Sequence, residues 1–390
     1  MSDLPASLPW IERLLTLDTT SRNSNLPLIE VVEAELDRLG LSGTRIPDAT
    51  GTKANLILTL PAADGSTGGG IVLSGHTDVV PVDGQRWGTE PFVPEVRDGR
   101  LYGRGSADMK SFLGVILHKL PDLATARLSE PIHLAFSYDE EVGCLGGAQI
   151  AAALGAWPEP PRVCVVGEPS SMRAIAGHKS VNLVELDFHG KAAHSSLTPE
   201  GTNAIEYAAR AVTAVRDLAE DRRDHGPYDE RYRVPFTTAG VNVISGGAAT
   251  NIVPERCTVS FDFRTVAADD PDKIVAAITT VARELETQMR TEHAEAHVEV
   301  TVGAQAPALD SSEDGPAYTL AVELGATPSR DRVTYGTEAG QFSDAGIDAV
   351  VCGPGDIAQA HGPDEYVELE QILACEQFVD ALLAHLTRSA

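Results

Sequence analysis

Four short apolar runs, each passing directly into His, Asp or Glu, constrain this chain more than any other feature. Ile71-Val72-Leu73-Ser74-Gly75 leads into His76-Thr77-Asp78. Ile132 to Tyr138 leads into Asp139-Glu140-Glu141, and Val163 to Gly167 into Glu168-Pro169. Asp348 to Gly355 leads, after a loop, to His361. Short apolar runs bounded by turn residues read as buried strands. Open α/β sheets bind ligands outside the carboxyl ends of their strands, so the four groups are expected to converge on one crevice. A fifth acid, Asp108, follows the Gly-rich turn Tyr102-Gly103-Arg104-Gly105-Ser106-Ala107 and precedes a helix.

The pattern around these runs sets the architecture. Leu8–Leu17 and Leu28–Leu39 read as amphipathic helices, Asn55–Leu60 as a strand and Ser111–Leu120 as a helix. Alternation of this kind favours a mixed, mostly parallel sheet flanked by helices. The middle differs. Strand patterns at Val181–Phe188, Gly240–Ile244, Arg256–Phe263 and His297–Val302 enclose helical patterns at Asn203–Leu218 and Asp270–Thr291. The order β-α-β-β-α-β is that of a ferredoxin-like α+β module. The α/β pattern then returns with helices near Ala317–Leu324 and Leu369–Leu386. The expected organisation is one α/β domain, 1–175 and 304–390, interrupted by an inserted α+β domain at 176–303. A length of 390 residues suits two or three domains.

Charge and cysteine content narrow the function. With 57 acidic against 30 basic residues the formal charge is −27, which argues against nucleic acid or an anionic membrane as partner. Only six of the basic residues are Lys. The segment Met1–Leu15 has neither the basic start nor the apolar core of a signal peptide, and no apolar run reaches the roughly 18 residues of a spanning helix. Cys144, Cys164, Cys257, Cys352 and Cys375 are scattered, without a C-x-x-C pair. This suits buried thiols in a reducing compartment, and a cytoplasmic protein is expected.

The convergent residues are two His and several carboxylates, with no Cys. Such a set suits Zn, Co or Mn, and a shared carboxylate can bridge two ions. Adjacent Glu140 and Glu141 can divide roles, one on a metal and one as general base. Asp78 could hold the His76 ring from behind. Any one of these acids alone is more often a helix cap or turn residue; the joint pattern at several strand ends favours chemistry. Other motifs fall away. Gly103-Arg104-Gly105-Ser106-Ala107-Asp108 lacks the third glycine of a dinucleotide loop. No Walker A loop or Gly-x-Ser-x-Gly elbow occurs. His293 and His297 are four apart, but they span the exit from a helix into a strand with no third ligand evident. Tyr228–Val234 reads as a surface loop.

Together the motifs Ser74–Pro81, Tyr102–Lys110, Asp139–Gly143, Gly167–Pro169 and His361 resemble those of the M20 family of co-catalytic metallopeptidases and amidohydrolases, in family order across nearly the whole chain. The resemblance implies a di-zinc exopeptidase-like catalytic domain with an inserted ferredoxin-like lid and dimerisation domain. It implies two divalent metal ions, Zn or Co: His76 and Glu168 on one, Glu141 and His361 on the other, Asp108 bridging. Glu140 would be the general base and Asp78 would orient His76. A cis peptide after Asp108 belongs to the same pattern. Phe112 departs from it, standing where the family usually has a small residue. In the lid, His189-Gly190-Lys191-Ala192-Ala193-His194-Ser195-Ser196 resembles a motif whose His, here His194, reaches an active site across a homodimer and stabilises the oxyanion; a surface His is the alternative. Asn251 and Arg264 resemble the lid's substrate-binding pair, with a strand-end salt bridge the alternative for Arg264.

Within the family, Leu15–Pro27, Tyr335–Phe342 and Gly353–Tyr366 are most similar to the branch that deacetylates N2-acetyl-L-ornithine in arginine biosynthesis. On that reading Glu338 pairs with the substrate ammonium, unless it is a core acid hydrogen-bonded to backbone. The rivals are succinyl-diaminopimelate desuccinylation, hydrolysis of another N-acyl amino acid or a dipeptide, and a non-catalytic scaffold of the same fold.

Overall fold

The computed structural model describes residues 4–388; the first three residues of Met1–Leu15 lie outside the described residues. The chain divides into two compact units. The first comprises the chain up to Gly177, Leu309–Arg332 and the chain from Thr337; the second comprises His178–Ala308 and Val333–Gly336.

The first unit begins with α1 (Leu8–Leu15), α2 (Leu26–Arg38), β1 (Thr44–Pro47), β2 (Ala54–Leu60), β3 (Ile71–His76), α3 (Ser111–Thr125), β4 (Ile132–Ser137), α4 (Leu145–Gly155) and β5 (Val163–Pro169). The second contains β6 (Val181–His189), α5 (Ala204–His225), β7 (Thr238–Gly246), β8 (Arg256–Arg264), α6 (Pro271–Glu292) and β9 (His297–Ala306). The chain then re-enters the first unit with α7 (Pro316–Glu323), α8 (Ala339–Asp344), β10 (Asp348–Gly353) and α9 (Leu369–Thr387).

In the first unit the sheet order is β1-β2-β4-β3-β5-β10. The neighbours β4, β3, β5 and β10 are parallel, whereas β2 and β1 complete the sheet antiparallel. The strands β3, β4 and β5 are buried along their whole length. This is why they read as continuous apolar runs rather than alternating ones: helices cover both faces of such a sheet. The helix α3 is apolar nearly all round, and α1 and α9 pack against it.

Phe112 acquires a specific explanation. Its ring is fully buried and lies over Gly167, the residue before Glu168. A Cβ at Gly167 would fall 2.1 Å from the ring. The bulky residue after the Asp108 turn is thus accommodated by the absence of a side chain on the facing strand.

The second unit has the sheet order β7-β8-β6-β9, antiparallel throughout. Val184, Leu186 and Phe188 of β6 and Cys257, Val259, Phe261 and Phe263 of β8 face a core shared with α5 and α6. Asn203 and Asp270 cap those helices by accepting hydrogen bonds from their first turns. The segment Val333–Gly336, which the sequence leaves with the first unit, returns here; Val333 O accepts from Lys179 N at 3.3 Å. Tyr228–Val234 is less superficial than its composition suggests, because Tyr232 is buried with Lys179 Nζ 5.8 Å from its ring centroid.

Gly167→Ala is expected to destabilise the protein, and Phe112→Leu to recover part of that loss in the double variant. Urea unfolding of the four members of the cycle measures the coupling; strict additivity would remove the proposed contact.

Candidate metal centre

The carboxyl ends of β3, β4 and β5 and the loop after β10 bring the sequence-selected side chains together. His76 Nε2 lies 2.9 Å from Asp108 Oδ1 and 3.6 Å from Glu168 Oε1. His361 Nε2 lies 3.1 Å from Asp108 Oδ2 and 3.1 Å from Glu141 Oε2. These form two groups, His76–Asp108–Glu168 and Asp108–Glu141–His361. Within each group the donor atoms lie within 4.8 Å of one another. Asp108 belongs to both, one oxygen facing each His. The donors are all N and O, suited to borderline divalent ions. Two buried carboxylate oxygens, Glu141 Oε1 and Glu168 Oε1, make no hydrogen bond to any described residue. The set therefore fits a pair of divalent cations with a bridging carboxylate.

The turn carrying Asp108 is held from two sides. Glu365 Oε1 accepts from the Ala107 and Asp108 backbone N–H groups at 2.9 and 3.1 Å. Its other oxygen pairs with Arg104 at 2.5 Å, both side chains being 1 % exposed. Lys110, fully buried, donates to the carbonyls of Leu14 and Leu17 at the end of α1, where a cation is favoured. Gly105 takes a left-handed φ of 82° at the start of the turn, and the Asp108–Met109 peptide is cis. The residues of Tyr102–Lys110 thus divide into one acid facing the centre and several that position it.

Asp78 holds His76 differently from the expected carboxylate contact. The His76 ring is fixed by the Asp78 backbone carbonyl, 2.9 Å from Nδ1, while the nearer carboxylate oxygen is 3.6 Å away. The carboxylate accepts from the N–H groups of Glu140 and Glu141 at 3.1 and 3.3 Å. Ser21 Oγ donates to it at 2.7 Å. The N-terminal segment is tied to the same strand end by Thr19 Oγ1 to Thr77 O at 2.6 Å and Asn25 Nδ2 to Thr77 Oγ1 at 2.9 Å.

Burial dominates the electrostatics. It pushes Glu140 up to about 8, with nearby Glu141 and Asp108 adding to the rise against the His76 charge. Burial likewise pushes Glu141 up to about 7 and Glu168 well above the usual range. For Asp108, burial is outweighed by hydrogen bonds from His361 and His76, and its pKa falls. His361 is pushed up to about 10 by its hydrogen bonds to Asp108 and Glu141.

Cys144 was missed as a site residue. Its Sγ donates to Glu140 Oε1 at 3.1 Å from a left-handed position, φ 57°, at the start of α4. Only the fold reveals this contact. Glu338 has no solvent exposure, as the core-acid alternative expects, and Ser74 Oγ donates to it at 3.1 Å. It underlies the end of β3 instead of offering a surface to a ligand. In the second unit His194 is exposed, its Nδ1 engaged by Ser196 Oγ at 2.7 Å. The backbone O of Asn251, a residue also exposed, accepts from Ser195 N at 3.0 Å. Arg264 Nε donates to Asp262 at 3.0 Å.

Comparison with known proteins gives a consistent picture. The pattern of Peptidase family M20/M25/M40 matches residues 72–385. An acetylornithine deacetylase of Myxococcus xanthus is 34 % identical, covering 99 % of each chain. One from Edwardsiella ictaluri is 30 % identical, covering 98 % of each. Among solved structures, an M20 family metallo-carboxypeptidase of Sulfolobus solfataricus superposes with a TM-score of 0.76 at 19 % identity, covering 97 % of this chain and 98 % of that one.

Two expectations follow. Glu365→Ala leaves Arg104 buried without its carboxylate, only Gln85 among the described residues still accepting from it, and should cost about 3–5 kcal/mol in urea unfolding, Glu365→Gln less; equal stability of all three proteins would contradict the role. Metal-stripped protein should lose thermal stability as pH rises from about 4.5 to about 10. Glu140, Glu141, Glu168 and His361 all have raised folded-state pKa values. Their stabilising contribution is complete below the unfolded values and lost as pH passes the folded ones. Added Zn2+ should therefore raise the melting temperature more at pH 8 than at pH 6.

Proposed function

The chain belongs to Peptidase family M20/M25/M40 and is a metallo-amidohydrolase; from that premise we propose that it hydrolyses the amide of N2-acetyl-L-ornithine to L-ornithine and acetate. The observation that carries the reading is the pair of residue groups sharing Asp108, with Glu140 beside them. The full-length likeness to two acetylornithine deacetylases supports the substrate.

On this proposal His76 and Glu168 would hold one divalent ion, zinc or cobalt, and Glu141 and His361 the other, with Asp108 between them. When bound, such a pair supplies Lewis acidity and lowers the pKa of water at the site. Glu140 accepts the proton of the attacking water and returns it to the departing amine. Its backbone is fixed by Asp78, and one oxygen is held by the Cys144 thiol. His194, supplied across a homodimer, donates to the oxyanion. Asn251 and Arg264 bind the substrate's polar groups, Arg264 by exchanging Asp262 for a carboxylate. Glu338 is buried, which pushes its carboxyl up, and it supports the end of β3 through Ser74; the acid excess of the chain favours a cationic substrate over a succinylated one.

The second unit, His178–Ala308 with Val333–Gly336, is assigned the lid and dimerisation role. Its edge strand β7 exposes Val243 (60 %) and Ile244 (53 %), as a strand that pairs with a second copy would. No described helix is long and apolar enough to cross a membrane, and all five cysteines are buried and free; we assign the protein to the cytoplasm.

Glu140→Gln should lower kcat by about 10²–10⁴-fold with metal content unchanged; full activity would contradict its role. His194→Ala should lower turnover with metal retained. In a panel of N2-acetyl-L-ornithine, N-succinyl-diaminopimelate and dipeptides, acetylornithine should give the highest kcat/KM. A dipeptide ahead of it would move the protein to the peptidases of the same family.

A further inference from the structure

A second group of metal-competent side chains lies on the sheet of the second unit. On the face of β6 and β9 opposite the core, His189 stands directly across from His297, and Asp187 across from Glu299. The period-two geometry of strands puts His297 and Glu299 on one face. The two imidazoles are stacked, with centroids 4.3 Å apart and planes within 4° of parallel. Donor atoms of His189, His297 and Glu299 all lie within 4.8 Å of one another.

The neighbours sort these groups by availability. Asp187 is already engaged: Arg256 Nε contacts both its oxygens at 3.1 Å, and Thr258 Oγ1 donates to it at 3.1 Å. His297 Nδ1 faces the Glu295 carbonyl at 3.1 Å. Donation there fixes the tautomer and leaves the Nε2 lone pair for a metal. That Nε2 is 3.7 Å from Glu299 Oε1. His189 Nε2 is withdrawn from solvent and makes no hydrogen bond to any described residue, although Asp187 Oδ2 is 3.3 Å away. His293, which sequence spacing pairs with His297, faces Glu295 instead.

We propose that His189, His297 and Glu299 form a binding site for one divalent transition-metal ion, Zn2+ or Cu2+, spanning β6 and β9. Two imidazoles and a carboxylate supply three ligands of the kind zinc takes, with solvent completing a tetrahedron; an imidazole lone pair lies in its ring plane, so one of the two stacked rings must rotate about its side-chain torsions to share an ion with the other. The His297 and Glu299 side chains are 41 and 64 % exposed, so an ion can reach them from solution, and His189, 30 % exposed, joins them when its ring turns outward. The site is separate in composition from the groups around Asp108 and shares no residue with them. Because it joins a central strand to an edge strand, an ion there clips β9 to the sheet.

The test is Zn2+ stoichiometry on the untagged full chain, by equilibrium dialysis at saturating Zn2+. His297→Gln and Glu299→Gln are compared with wild type, each checked for unchanged circular dichroism. His297→Gln should bind one equivalent fewer than wild type while hydrolytic activity is unchanged, and Glu299→Gln should bind that equivalent more weakly. With Cu2+, the same equivalent should show hyperfine coupling to two nitrogens in paramagnetic resonance, lost in His297→Gln. Equal stoichiometry in wild type and His297→Gln, or loss of an equivalent without the two-nitrogen signature, overturns the proposal.

Discussion

The position of one carboxylate organises the candidate metal centre. Asp108 is 4 % exposed, and each of its oxygens faces a different His, at 2.9 and 3.1 Å. Burial alone would favour its neutral form; the two imidazoles reverse that. Asp108 could not face both His residues in this way if the turn were displaced. The turn is held by Glu365 through two backbone N–H groups, by the buried Arg104–Glu365 pair, and by Lys110 anchored to the end of α1. These are costly groups to bury, and their mutual hydrogen bonding makes the arrangement stable.

The parallel sheet supplies the remaining residues. In parallel neighbours the carboxyl ends lie side by side, so His76, Glu140, Glu141 and Glu168 arrive together from β3, β4 and β5 although they are far apart in sequence. Full burial of those strands holds their ends in register. The N-terminal segment then fastens the His76–Asp78 end through Thr19, Ser21 and Asn25.

The sequence made the strand ends and their polar residues legible because each apolar run passes into them without an intervening loop. The β-α-β-β-α-β order was legible because its strands alternate and its helices carry capping residues. The helix α4 was not read. Gly146 and Gly147 weaken the signal of its first turn, but Gly146 is required by contact: a Cβ there would lie 2.5 Å from Tyr138 O. The short α8 and the exposed edge strand β1 carried too little pattern to read. The supporting residues were invisible for a different reason. Ser21 to Asp78, Glu365 to Ala107 and Ser74 to Glu338 join positions 57, 258 and 264 residues apart, and no local signal reports such pairs. Full burial of Glu338 and the stacking of His189 on His297 likewise depend on tertiary structure.

The acid excess of the chain is broader than its centre. Many surface acids pair locally, as in Arg223–Asp224 and Arg216–Glu220, contacts that contribute little to stability. On the proposed function, the acids that act are those denied solvent around Asp108. Metal content of single-residue variants tests that claim most directly. If Asp108 serves both groups, Asp108→Ala should bind two equivalents of Zn2+ fewer than wild type, whereas Glu168→Ala and Glu141→Ala should each lose one. An Asp108→Ala protein that retains the wild-type metal content would contradict the account.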